Sequence, residues 1–209
     1  MREEIDDFDA DLLEKWFSRG VERSEFSGRF IVDELSDIAP RSPEFWASLA
    51  FLLQRKGLRS DAIDAWAIAA KYSKESEQLC RVLFAAAHSW WDIHVEVGRA
   101  GAYTDAWEQA HESIERASRL GTRTIEVHQW FVVLYESVRE SDRMFEHLAA
   151  ALWETEDGRL DWSEFWFASE RVFEIKSYDD LLRALVSNER YQEAGQVLSA
   201  AFEFGLELK

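Results

Sequence analysis

The five histidines of this chain are its side chains best equipped for chemistry, because imidazole ligates metals and exchanges protons near neutral pH. His111-Glu112-Ser113-Ile114-Glu115 opens like the helical signature of a zinc protease, but Glu115 stands where the second histidine ligand belongs. His88 and Asp92 have the i, i+4 spacing that puts two ligands on one helix face. His94 falls roughly 240° around the same helix from His88 and cannot complete that pair. The histidines are therefore read as surface or inter-helix residues. Trp153 to Glu164 carries the glycine (Gly158) and final glutamate of a calcium loop, yet Trp153 and Thr155 occupy positions that need oxygen-rich ligands. A helix–helix connection accounts for that segment better.

The remaining candidates weaken in the same way. Cys80 sits among Leu79, Val82, Leu83 and Phe84, a setting for a buried thiol rather than a thiolate nucleophile. Gly98-Arg99-Ala100-Gly101 has no following Lys-Ser/Thr and no preceding strand, so it is not a phosphate loop. No Gly-x-Ser-x-Gly elbow occurs. Carboxylate pairs abound, as 41 acidic residues on helices must produce, but no pair is set apart in an apolar run that would raise a pKa. The expectation is a non-enzyme with no cofactor and no metal.

Charge narrows the class. With 24 basic residues against 41 acidic ones, the net charge is −17 over 209 residues. Phosphate backbones and anionic membranes both require clustered Lys and Arg, so neither direct nucleic-acid binding nor membrane adhesion is expected. A content of 47% hydrophobic and 14% aromatic residues is too rich for disorder. One cysteine cannot staple a secreted scaffold. The acidic start, MREEIDDFDADLL, has no hydrophobic signal region, and no apolar run approaches membrane-spanning length. These readings together point to a soluble cytoplasmic protein.

The elements that position these residues are helices. Only two prolines occur, at positions 40 and 43, and Asp157-Gly158 is the single hairpin-type dipeptide. The periodicity predicts helices near 6–19, 25–38, 43–56, 60–73, 76–98, 104–119, 124–138, 141–153, 162–175, 178–188 and 191–204. Ser42-Pro43 supplies an N-cap before a proline at the first helical position. Asp161-x-x-Glu164 and Ser177-x-x-Asp180 read as capping boxes. The β-branched run in Thr124–Tyr135 is kept helical because Val127, Trp130, Phe131 and Leu134 recur at i, i+3, i+4 and i+7. The fold class is all-α.

Short helices joined by short connections suggest stacked hairpins. From Pro43, the residues Trp46, Leu49, Ala50, Leu53, Gly57, Ala62, Trp66 and Ala69 follow the spacing of a tetratricopeptide repeat, which this segment resembles. A second match keeps Trp90, Ile93, Gly101, Tyr103 and Ala106. A third keeps Phe131, Tyr135, Leu148 and Ala151 without the glycine. A fourth keeps Leu181, Leu185, Tyr191, Ala194, Leu198 and Ala201. Their starts lie 44, 38 and 50 residues apart rather than the ~34 of the family. The resemblance implies an α-solenoid of antiparallel hairpins over residues 41–209, capped by a helical region over 1–40, the whole being one continuous array.

Such repeats usually bind another protein or a peptide on a concave surface. The register assigns to that surface Phe51, Gln54 and Arg55, then His88, Trp91, Val95 and Arg99, then Gln129 and Glu136, then Arg183. Trp91 stands out, since aromatic and Arg side chains are favoured interface anchors. Lys and Asn are missing from the two helix-A positions of the first unit that clamp a C-terminal carboxylate in one branch of the family, where Ala47 and Phe51 stand instead. The expected function is a non-catalytic adaptor or regulatory interaction module. The alternative is an acidic inhibitor or immunity-type protein that blocks a basic partner. Residues 1–40 (12 acidic, 5 basic) and 136–180 (13 acidic, 5 basic) together supply −15 of the −17.

Overall fold

The computed structural model describes residues 10–27, 29–97, 103–165 and 167–203. The expectations for Arg99 and Gly101 therefore lie outside the described residues. Helices run α1 (Ala10–Ser27), α2 (Ile31–Ser36), α3 (Pro43–Arg55), α4 (Arg59–Tyr72), α5 (Ser76–Val97), α6 (Asp105–Ser118), α7 (Thr124–Ser137), α8 (Ser141–Trp153), α9 (Glu170–Phe173), α10 (Tyr178–Ser187) and α11 (Tyr191–Glu203), with a 3-10 turn at Ser163–Phe165. Among the described residues no strand forms, and an isolated bridge joins Arg159 to Ser177. The all-α class holds. No described helix is long and apolar enough to cross a membrane.

Local chemistry explains several boundaries. The Ser42 hydroxyl accepts from the Phe45 N–H (3.2 Å) ahead of Pro43, so one orphan donor of α3 is satisfied and the proline occupies a position where it loses no bond. Ser177 accepts from the Asp180 N–H while its hydroxyl donates to Asp180 Oδ2 (2.8 Å). The β-branched run in α7 stays helical because Val127 and every residue from Gln129 to Tyr135 are buried. Tertiary packing on all sides outweighs a propensity penalty of a few tenths of a kcal/mol per residue.

Three hairpins turn the same corner. After α3, Gly57 takes φ 80°; after α7, Arg139 takes 63°; after α10, Glu189 takes 61°. In each, the left-handed residue's N–H returns to the carbonyl three residues back: Gly57 to Gln54, Arg139 to Glu136, Glu189 to Val186. The next N–H reaches back five residues, Leu58 to Leu53, Glu140 to Tyr135, Arg190 to Leu185, each at 2.9 Å. This paired closure satisfies the last helical carbonyls. Only the first corner uses glycine, for which positive φ carries no Cβ penalty.

The chain folds as two compact units, one comprising Met1–Glu96 with Glu115–Thr122, the other Val97–Ile114 with Arg123–Lys209. In the first unit α1 packs on α2 and α3, α2 on α4, and α3 along α4. A Cβ at Gly20 would meet Ile31 Cγ2 at 2.5 Å, so glycine is what lets α1 and α2 approach. The Trp46 indole N–H donates to Pro40 O (2.9 Å), and Phe45 stands edge-on between Trp16 and Trp46. Phe30 gives α2 no side-chain cap; buried Asp61 of α4 accepts from the Val32 N–H instead, at 3.1 Å. Asp61→Ala is expected to lose about 1–3 kcal/mol, because it orphans a buried N–H. Urea unfolding checks this, and Asp61→Asn should recover part of the loss.

In the second unit α7 packs along α8, and α10 against both α8 and α11. The expected helix over 162–175 does not form. That stretch is the 3-10 turn followed by the short α9, and Asp161 Oδ1 accepts from the Ser163 N–H in a local turn rather than a helical capping box. The reason is anchoring. Leu160 N–H donates to Lys176 O (2.8 Å), Trp162 Nε1–H to Ile175 O (2.9 Å), and the Phe165 and Phe167 rings pack on Trp130 at 5.7 and 5.0 Å. Bringing 160 beside 176 is incompatible with a straight helix between them.

Candidate functional site

The residues assigned to a binding surface divide into three kinds. On α3, Phe51 is half-buried with its ring edge-on to Trp66 of α4 (5.0 Å, 78°), and Arg55 is exposed. Gln54 lies between them, its carboxamide nitrogen and oxygen both buried without a hydrogen-bond partner. The indole nitrogen of Trp66 is orphaned in the same way. On α5, His88 reaches Asp92 (Nδ1 to Oδ2, 3.6 Å), the i, i+4 pair expected from spacing, and Val95 is 60% exposed. Glu136 of α7 is half-buried, and Arg183 of α10 is exposed beside Asp180 at 3.6 Å.

Trp91 and Gln129 are not surface residues. Trp91 is 6% exposed, its ring 5.3 Å from that of buried His94. The middle of α5 buries side chains on nearly its whole circumference, Val82 to Ala87 without a break, so the repeat register leaves Trp91 no open face. Gln129 is 2% exposed and its amide donates to Asp161 O (2.7 Å), holding the 154–177 connection to α7. Both side chains are packed inside the protein. What the structure brings together from the expected set is Phe51, Gln54 and Arg55 on one helix.

A second constellation lies within the second unit. His111 of α6 and His147 of α8 both reach Tyr135 of α7, and His128, two turns earlier on α7, meets His147. His111 Nε2 is 2.8 Å from the Tyr135 hydroxyl and its ring stacks on Trp107 (4.8 Å, 21°). The His147 ring stacks on Phe131 (4.5 Å) and Tyr135 (5.6 Å). His128 Nδ1 and His147 Nδ1 are 2.9 Å apart, a distance that needs one nitrogen protonated and the other bare. Arg143 lies over the Tyr135 ring at 5.3 Å, and Tyr103 donates to Glu140 (2.9 Å) at the edge.

This environment disfavours imidazolium. Burial, then the neighbouring His128, His111 and Arg143, push the His147 pKa from 6.5 down to about 4. Burial also lowers His128, opposed by Glu154. Among the described residues no three His, Cys, Asp or Glu side chains gather to hold a metal ion. Of these three, only His111 sits in a recognisable motif, and His128 and His147 lie in none. The available signal was that each of the three follows or precedes a framework residue now seen buried: Ala110, Val127 and Leu148. No protein-family model matches the chain, and no curated protein is similar enough to serve as a relative.

Proposed function

We propose that this protein is a non-catalytic interaction module built of tetratricopeptide-like hairpins, and that its α3–α4 hairpin takes an extended segment of a partner protein. The observation that carries this reading is the orphaned carboxamide of Gln54 between Phe51 and Arg55. A carboxamide offers one donor group and one acceptor, matching the N–H and C=O of a peptide backbone. Left unpaired in a buried place it costs about 1–3 kcal/mol, a cost recovered when the side chain turns outward to pair with a partner's backbone. Phe51 adds an aromatic edge and Arg55 an exposed cation. The recurrence of one corner geometry after α3, α7 and α10 supports the repeat reading that motivated this face.

The test separates recognition from folding. Gln54→Leu removes the unpaired amide and is expected to stabilise the free protein by about 1 kcal/mol. The same change should weaken partner binding tenfold or more. A photo-cross-linking residue at position 51 should capture the partner in a salt-resistant complex. Should Gln54→Leu destabilise the protein and leave binding unchanged, the amide is structural and the reading fails.

A second reading, an acidic blocker of a basic protein, draws on the connection after α8, where Glu154, Glu156, Asp157, Asp161 and Glu164 are exposed. Charge reversal at Glu154, Glu156 and Asp157 should then slow association and flatten its salt dependence, while changes at Gln54 leave it untouched.

A further inference from the structure

The His111–His128–His147 constellation has no part in the proposed peptide recognition, yet it costs the second unit apolar packing at three helices. The geometry is specific. The 2.9 Å contact between His128 and His147 joins two Nδ1 atoms. It exists only while at least one of the rings is neutral at that nitrogen, because two protonated rings present two donors and no acceptor. His147 lies against both Phe131 (4.5 Å) and Tyr135 (5.6 Å), rings themselves 6.0 Å apart, and these apolar faces give a charged imidazole no replacement for water. His111 is fixed from the other side by Trp107 and the Tyr135 hydroxyl.

We infer that these three histidines form an acid-sensitive clasp, which holds the His111 turn of α6 to α7 and α8 near neutral pH and releases them on mild acidification.

The charged groups around the clasp favour that response. Arg143 of α8, over the Tyr135 ring, opposes any added positive charge on His147, as do His128 and His111. Glu154, just past α8, is the counter-charge acting on His128. Tyr103 and Glu140 bond each other at the rim. From the α10–α11 corner, Arg190 is engaged elsewhere, with Asp142 at 2.8 Å and the Phe145 ring at 5.0 Å.

The direction follows from proton linkage. Above pH 6.5 His147 is neutral whether the unit is closed or open, and the clasp is fully formed. As pH falls below 6.5, the open form takes up a proton that the closed form refuses until about pH 4. Stability is therefore lost progressively between those two values. At pH 5 that difference is worth about 30-fold in the opening equilibrium, of which solvent screening of the partly exposed ring leaves roughly tenfold. His128, lowered by the same burial, adds in the same direction.

Hydrogen exchange of the full chain at pH 7.5 and pH 5.0, corrected for the intrinsic chemical rate, tests this. The α3–α4 hairpin contains no histidine and serves as the internal reference. Opening of α7 and α8 should rise about tenfold more than that of α3 and α4. His147→Phe keeps a ring against Phe131 and Tyr135 but cannot be protonated, and His128→Asn keeps a polar partner without titrating near neutrality. Either variant should flatten the response. Equal responses of the two hairpins, or an undiminished response in His147→Phe, would overturn the inference. If the variants do not fold, NMR titration of the wild-type rings decides: His147 titrating below pH 5 supports the clasp, and titration near 6.5 excludes it.

Discussion

Ala62→Glu is expected to abolish cooperative folding of the first unit, or to lower its stability by about 3–5 kcal/mol. Ala62 has 0% exposure at the start of α4, beside Asp61, which already uses its carboxylate on the Val32 N–H. A second carboxylate there must displace packed neighbours and is cut off from water. Overpacking costs about 1–3 kcal/mol, and an unpaired buried charge adds several more. Asp64, one turn along, already has its pKa raised by burial and by Asp33 and Asp61, so the neighbourhood repels further negative charge. Urea unfolding followed by tryptophan fluorescence is the measurement. An unchanged midpoint would mean that the register placing Ala62 against α3 is wrong. Ala62→Ser, which adds one oxygen able to bond within its own helix, should cost far less.

Trp162→Ala should be nearly as severe, at about 3–5 kcal/mol, but its effect is local in origin. The indole is 2% exposed, its N–H donates to Ile175 O, and its ring stands edge-on to Phe165 at 5.8 Å. Losing it removes apolar contact and orphans a buried carbonyl. The 158–176 connection should then become cleavable by protease at concentrations that leave the wild type whole. Trp162→Phe keeps much of the packing but not the hydrogen bond, and an intermediate result is expected. Equal protease resistance in Trp162→Ala and wild type would show that the bridge between Leu160 and Lys176 holds the connection by itself.

The all-α class and most helices were legible in the sequence because helix signals are local. Ser42-Pro43 and the Ser177–Asp180 pair announce their helices by groups within three residues, and the period of Val127, Trp130, Phe131 and Leu134 outweighs their β-branched neighbours. Residues 162–175 were misread because what shapes them is long-range: a carbonyl at 175 and an aromatic at 130 decide the path of Trp162 and Phe165. Burial divides the expected surface: Arg55, Val95 and Arg183 are exposed, whereas Trp91 and Gln129 are buried. Repeat spacing tells which residues share a helix face, and so grouped Phe51, Gln54 and Arg55. It does not tell whether a face is covered, so Trp91 and Gln129 were placed in the open. The histidine cluster was invisible to motif reading because its members lie on three different helices, 17 and 19 residues apart in sequence.

The corner shared by Gly57, Arg139 and Glu189 has a consequence for how such a chain can change over time. A left-handed residue other than glycine costs roughly 1–2 kcal/mol, so the second and third corners are held in shape by the helices they join. Their side chains are left free to be recruited. Next to the bend, Glu140 accepts from Tyr103, and Arg190 ties the last corner to Asp142 of α8, roles a glycine-marked corner does not need to fill. Hairpins of this kind can carry different letters at the same bend, because backbone hydrogen bonds close it whichever residue takes the left-handed turn.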